Sequence, residues 1–379
     1  MKKNILDTVI LVGFFLILAL PLLSTPLLFS PTNWGKTIVF RIILSTLFFL
    51  LLFKLLWREN TQGTPGVFQR VSQTLKHNRA LSLLLLLFFV YLLATIFSLD
   101  KYFSFWGTPN RAWGFLNFSF YVFFALLLFS FVPKNTWNKV LGFAVLIGIL
   151  VSCVAIIQQF SLFSDTFVSR SLRPVGTLGN PISLGTYLLM ASFIALFLAL
   201  KERSPQKYFY VCSAALFLFV ITLTLSRASF LGIAAGLGYF LLFYPRKSLF
   251  FRRAALIAVV FALAILLFMN IKSEPPDIFQ QNHFLLNLWN RADLETALMN
   301  DRVFGWNMAL KGIMERPVLG YGPYNSYIAF NKHYDPLYKT LYPTTTGWWD
   351  TAHNLFLDIA AGTGFVGLGA YLLFIGTLL

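Results

Sequence analysis

The sequence predicts an all-α fold: a polytopic integral membrane helix bundle of about ten spans, with one large extracytoplasmic loop containing amphipathic helices. Three observations predict it. Hydrophobic residues make up 58% of the 379 and charged residues 12%, about half the charged share of a soluble domain. Mean hydropathy is +0.72. The apolar residues fall in runs of about 18 or more, enough to cross a hydrocarbon core of roughly 30 Å as helices. These runs do not alternate apolar with polar residues over short segments, which excludes a membrane β-barrel.

The spans are read at approximately 5–29, 36–56, 80–98, 112–132, 139–160, 182–200, 208–225, 228–245, 254–271 and 353–379. The first follows Lys2-Lys3 and reads as a signal-anchor without a convincing cleavage site. Pro21 and Pro26 kink it, which helices in lipid tolerate. The sixth opens behind Asn180-Pro181, a capping residue followed by one suited to the first helical position. Ser226-Arg227 leaves only a minimal turn between the seventh and eighth. The organisation expected is therefore helices 1–9 over 1–271, an extracytoplasmic loop over 272–352, and a tenth span over 353–379 that stops within apolar text, as in a truncated chain. In the long loop, Val303, Trp306, Met308, Leu310 and Ile313 have helical spacing, Pro317 ends that helix, and Gly320-Tyr-Gly-Pro323 forms a turn. One or two such helices would lie on the membrane surface.

Charge assigns the sides. With Lys2 and Lys3 in the cytoplasm, every second loop is cytoplasmic, and those loops collect Arg58, Arg70, Lys76, Arg79, then Lys134 and Lys139, then Lys201, Arg203 and Lys207, then Arg246 to Arg253. This is the positive-inside pattern. It also accounts for the net charge of +16, so nucleic acid is excluded as a partner: the basic residues sit in short loops and form no basic–aromatic surface. Cys153 and Cys212 lie inside apolar runs and read as small buried hydrophobes. No Cys/His spacing suggests zinc.

The polar residues of interest lie on the outer side. Arg170 and Arg173 precede the sixth span in Arg-Ser-Leu-Arg-Pro-Val-Gly-Thr-Leu-Gly-Asn-Pro. A helix N-terminus beside two arginines is an anion site; the plainer reading is an interfacial anchor. Arg227 lies so close to hydrocarbon that it needs a cavity, an anionic partner or a route to the interface. Arg111, between Trp106 and Trp113, could contact phosphate or sugar, or belong to an interface anchor. His353 opens the last span beside Asn354, downstream of Asp350. An imidazole there could take a proton near neutral pH or simply cap the helix. Gly362, Gly364, Gly367 and Gly369 follow; they suit close helix packing and match no phosphate-binding loop.

Four fragments then occur in a telling order: Arg173-Pro-Val-Gly-Thr-Leu-Gly-Asn-Pro; Ser226-Arg227; Arg302, Trp306, Ala309-Leu310, Pro317 and Gly320-Tyr-Gly322; and His353-Asn354-Leu-Phe-Leu with Gly364. Together they resemble the O-antigen ligase, O-antigen polymerase and O-oligosaccharyltransferase superfamily, over roughly residues 100–379. The resemblance implies a membrane glycosyltransferase whose donor is an undecaprenyl-diphosphate-linked glycan and whose acceptor is lipid A core, a growing glycan or protein. It implies no nucleotide-sugar, metal or other cofactor. Carried over, Arg173 and Arg227, with Arg170, hold the donor diphosphate, and His353 is the catalytic base. Arg111, Asn180, Arg302 and Asn354 are candidate substrate-binding residues. The location implied is the bacterial cytoplasmic (inner) membrane, with the site at its outer face. Such proteins have about twelve spans, hence the expectation of a truncated end. No Asp-x-Asp motif stands in the outer loops to hold a divalent ion. One direct displacement predicts inversion at the anomeric carbon. Three rivals compete. A lipid-linked oligosaccharide flippase would show repeated halves and mid-membrane charge. A peptidoglycan-type polymerase would rely on an outer carboxylate such as Asp350 or Asp335. A membrane scaffold gives no reason for the outer arginines.

Overall fold

The computed structural model describes residues 5–25, 32–56, 67–108, 113–160, 173–202, 205–243, 302–341 and 349–378, with scattered positions between 249 and 290. Every regular element among them is helical. In chain order the helices are α1 (Ile5–Ala19), α2 (Trp34–Leu56), α3 (Val67–His77), α4 (Arg79–Ile96), α5 (Lys101–Trp106), α6 (Phe115–Phe131) and α7 (Trp137–Phe160). There follow α8 (Pro181–Lys201), α9 (Gln206–Thr224), α10 (Arg227–Phe243), α11 (Asp277–Gln280), α12 (Arg302–Glu315), α13 (Ser326–Lys332), α14 (Leu337–Leu341) and α15 (Leu355–Gly376). Six stretches among the described residues are long and apolar enough to cross a membrane, in α2, α4, α7, α8, α9 and α15; shorter apolar helices lie at Thr8–Leu22 and Phe115–Phe131. The 21 residues of α8 reach about 31 Å at 1.5 Å per residue, the thickness of the hydrocarbon core. The polytopic bundle expected from the sequence is what forms. The span read at 254–271 lies largely outside the described residues.

The chain divides into two compact units: Met1–Ile17, Leu27–Lys134 and Asn300–Leu379 form one, Leu18–Pro26 and Asn135–Met299 the other. In the second unit, α8 presents Leu184, Leu188, Ala191, Ala195 and Leu198 inward, all buried. Their 4-3-4-3 spacing is one stripe of a helix. Against it pack Val145, Val151 and Ala155 of α7 and Ala214, Phe217, Val220 and Ile221 of α9. Lipid is as apolar as leucine, so contact density rather than escape from water holds such helices together. Small residues set the approach: a Cβ on Gly148 would stand 2.8 Å from the Phe217 ring, and one on Gly185 would strike Ser229.

In the first unit, Phe40 of α2 meets Tyr121 and Phe124 of α6 with ring centroids 5.3 and 5.9 Å apart. Leu87 and Val90 of α4 pack on Ala370 of α15. The opposite faces stay apolar yet outward, as with Phe49, Phe53, Phe89 and Leu93, the pattern of helices solvated by lipid.

Two features go beyond these expectations. The last span is not one continuous helix. Gly364 breaks α15 with φ 68° and ψ −171°, and the turn after α12 enters the break. Tyr321 N–H donates to the Ala361 carbonyl (2.8 Å), Gly322 N–H to the Gly362 carbonyl (3.0 Å), and Phe365 N–H to the Pro317 carbonyl (2.7 Å). The backbone groups freed by the break are thus satisfied, as a broken span requires. The large apolar residues of α12 divide between two faces. Gly305, Met308, Ala309, Gly312 and Ile313 are buried, whereas Val303, Trp306 and Leu310 are exposed. Close approach to Ala329 selects the glycine face: a Cβ on Gly312 would lie 2.6 Å from that methyl.

Gly364→Ala is accordingly expected to lower the apparent melting temperature of the detergent-solubilised protein by several degrees. Its φ is left-handed and an added Cβ would strike the Val318 carbonyl; left-handed backbone at a residue other than glycine costs about 1–3 kcal/mol. Gly369→Ala is the control, since an added Cβ there meets nothing within 4 Å and the melting temperature should not fall.

Candidate active site

His353 sits just before α15, in the first unit, exposed and left-handed at φ 49°. It does not cap the helix. Asn354 does: its Oδ1 accepts from Phe356 N–H at 3.1 Å and Leu357 N–H at 3.4 Å. Capping by the neighbour removes the plainest structural reason for a histidine at 353. The residue before it is clamped from both sides. Ala352 N–H donates to Asp358 Oδ1 at 2.6 Å, and the Ala352 carbonyl accepts from the Trp306 indole at 3.0 Å. The Trp349 ring meets the imidazole edge-on with centroids 5.1 Å apart. Trp349 and Ala352 belong to a buried cluster with Met308, Ala309, Phe330 and Tyr338. A rigid base therefore carries an exposed imidazole.

Beside this segment a small cavity of about 20 Å³ is lined by Phe103, Trp113, Tyr324, Tyr327, Asp350 and Thr351. Burial, with repulsion from Tyr121 and Asp358, pushes the Tyr324 hydroxyl up to about 12, so it stays a donor at neutral pH. Tyr324 is also left-handed, at φ 63°. Among the described residues only Leu225, Tyr324 and His353 hold this backbone without being glycine. Strained backbone persists where the surroundings over-determine it, and such residues cluster at functional sites.

The second unit holds Arg173 and Arg227. The loop of Arg173 is fastened by Gln158 in the last turn of α7. Gln158 Oε1 accepts from Gly176 N–H (2.7 Å) and Val175 N–H (3.2 Å), while its Nε2 donates to the Gly176 carbonyl (3.2 Å). Gly176 and Gly179 turn the chain at φ 57° and 72°. Thr177 ties the loop to the Pro21 carbonyl at 2.6 Å. Asn180 then caps α8, its Oδ1 accepting from Ile182 N–H at 2.7 Å. Arg227 is the first residue of α10, placed by the tight turn at Leu225, φ 49°, and its Nη2 donates to the Asn290 carbonyl at 3.3 Å. Gly185, one turn into α8, packs on Ser229, in the first turn of α10. Two arginine-bearing segments 54 residues apart in sequence (227 − 173) thus share one end of this unit, each at a helix N-terminus.

Arg302 begins α12 and is exposed. Asn180 and Asn354 both spend their side-chain oxygens on caps. Arg111 and Arg170 lie outside the described residues. Sequence reasoning passed over Gln158 and Asp358, and read Trp306 for its spacing and motif but not for its hydrogen bond to Ala352, 46 residues on. It also passed over Arg41, a charge inside an apolar run that was legible as such. Arg41 Nε and Nη2 both reach Asn117 Oδ1, at 3.3 and 3.2 Å, and the guanidinium lies 5.7 Å from the Phe120 ring centre.

Comparison with known proteins follows the same residues. Residues 212–372 match the O-antigen ligase family, a stretch that holds Arg227, Arg302 and His353. The chain is 28% identical over 243 residues to a ComP-specific O-oligosaccharyltransferase of Acinetobacter baylyi, covering 62% of this chain and 40% of that protein. It is also 28% identical over 245 residues to a general O-oligosaccharyltransferase of the same organism, covering 61% of this chain and 39% of that protein. The chain spans about two fifths of the length of the curated relatives it matches. The likeness drawn from scattered motifs is borne out: residues 212–372 of this integral membrane chain match the O-antigen ligase family, and the chain is similar to two O-oligosaccharyltransferases.

Proposed function

We propose that the protein is a glycosyltransferase that moves a glycan from an undecaprenyl-diphosphate carrier to an acceptor hydroxyl at the outer face of the bacterial inner membrane, in the manner of an O-antigen ligase. The observation that carries this reading is the family match over residues 212–372, a stretch of sequence that includes both Arg227 and His353.

In this reading Arg173 and Arg227, with Arg170, hold the donor diphosphate. The acceptor O–H gives its proton to His353 as its oxygen attacks the anomeric carbon. The bond from that carbon to the diphosphate oxygen breaks, and its electron pair leaves on the diphosphate. Fixed cations facing that growing charge lower the barrier, because they need no reorganisation as the charge develops. Attack and departure on opposite sides invert the anomeric centre. Asp358 and Trp306 support the reading by fixing the peptide that precedes His353, and Gln158 by fixing the loop of Arg173.

No divalent metal takes part in this scheme. Transfer by the reconstituted protein is expected to continue at an undiminished rate in EDTA; loss restored by magnesium would overturn the metal-free step.

The names of both relatives favour a second acceptor, a protein side-chain hydroxyl. Mass spectrometry of glycoconjugates from cells lacking the gene separates the readings. Lipid without its glycan supports the ligase, unmodified protein the oligosaccharyltransferase, and shortened chains a polymerase. Unchanged glycoconjugates of all three kinds contradict glycan transfer altogether.

A further inference from the structure

A second cavity, of about 240 Å³, opens beside α12 in the first unit. Phe304, Asn307 and Lys311 line it from one face of that helix, and His333 and Asp335 from the turn after α13. Water fills about 30 Å³ per molecule in the liquid, so the space holds about eight waters, roughly the room of one pyranose ring with its hydroxyls.

The lining narrows the ligand class. Asn307 donates and accepts, Lys311 donates, Asp335 accepts, and His333 does either according to its proton. Phe304 adds one aromatic wall. An anion would face the Asp335 carboxylate and a cation the Lys311 ammonium. An apolar ligand would strip water from all four polar groups at a cost. A sugar ring matches them, with hydroxyls that donate and accept at its rim and C–H groups on its face.

The wall is also fixed in advance. Glu315 accepts from Tyr321 (2.6 Å) and Lys332 (2.9 Å), and these hydrogen bonds hold its carboxyl near 2, so it stays ionised. His333 Nε2 lies 3.2 Å from the other carboxylate oxygen, not aligned as a hydrogen bond. Asp335 Oδ1 is set by Leu337 N–H at 2.9 Å. On its inner side the cavity shares Phe304 and Met308 with the cluster of Trp349 and Ala352 beneath His353.

We propose that this cavity is a saccharide subsite that takes one hexose-sized ring of a glycan. The inference rests on the glycan-transfer reading for the source of that ring, whether the donor or a glycan acceptor.

Saturation-transfer NMR on the full detergent-solubilised chain tests it, with free glucose, galactose and N-acetylglucosamine as probes. The expected result is saturation of the ring protons of at least one sugar. The signal should fall about fivefold or more in the double variant Asn307→Ala/Lys311→Ala, which removes two hydrogen-bonding groups. His353→Ala should keep the saccharide signal while losing transfer, which separates this site from the catalytic step. No signal above a detergent blank, or a full signal from the double variant, would overturn the subsite whatever the transfer assay gives. A wild-type signal without glycan transfer would leave the subsite standing and remove the transfer reading. In the transfer assay, a raised KM for the lipid-linked donor assigns the ring to the donor, and a raised KM for the acceptor assigns it to the acceptor. Neither KM changing would count against the subsite.

Discussion

His353→Ala is expected to abolish glycan transfer while the protein still reaches the membrane at its normal level. A positioned general base contributes about 10²–10⁴-fold to rate, and no described neighbour offers a second imidazole at that position. The fold should not suffer. The helix cap belongs to Asn354, and the clamp on Ala352 uses Asp358 and Trp306. His353→Asn is the sharper variant, because asparagine tolerates left-handed backbone and cannot take the proton. Both variants should be inactive with an unchanged melting temperature. Asp358→Asn should lower kcat with little effect on KM, since it loosens the support of the base rather than a contact with substrate. Near-normal transfer by His353→Asn would remove the histidine from the mechanism.

Arg227→Lys is expected to be poor, and Arg227→Ala poorer still. A lysine keeps the charge but not the planar fork that grips two phosphate oxygens at once. Loss of a fixed donor facing developing negative charge costs about 10²–10³-fold in kcat, and the alanine variant should fall in that range. Lysine should retain a fraction of the rate, roughly a tenth to a hundredth, through charge alone. The comparison separates catalysis from anchoring. An arginine that merely sat at the interface would be replaced by lysine without loss, because both side chains reach the headgroups. Steady-state transfer with the lipid-linked donor varied reads both kcat and KM.

The bundle was legible because crossing lipid imposes length and apolarity on each helix, and both are written locally. Asn180 and Pro181 declared the start of α8 in the same local way. The break at Gly364 was not legible, although its glycines were seen. A left-handed glycine and a tightly packed one look alike in sequence, and the partner that fills the break comes from Pro317–Gly322, over 40 residues earlier (364 − 322 = 42). The glycine face of α12 was not legible for a related reason: close approach rewards absent side chains, while periodicity counts present ones. At the candidate site, charge and chemistry singled out Arg173, Arg227 and His353. Their supports Gln158 and Asp358 are ordinary residues in sequence, and Trp306 was read for spacing and motif alone; all three take this role from the backbone groups they hold. Arg41 could have been found by asking of every charge in an apolar run what pairs with it.

In the proposed reaction Arg173, Arg227 and His353 act on one lipid-linked diphosphate. Cryo-electron microscopy of the protein with a non-hydrolysable donor analogue tests it most directly. Both guanidinium groups should lie within about 3 Å of phosphate oxygens, with the anomeric carbon facing an opening onto the His353 imidazole. A diphosphate seated away from either arginine, or an imidazole on the far side of the membrane from it, would contradict a shared site.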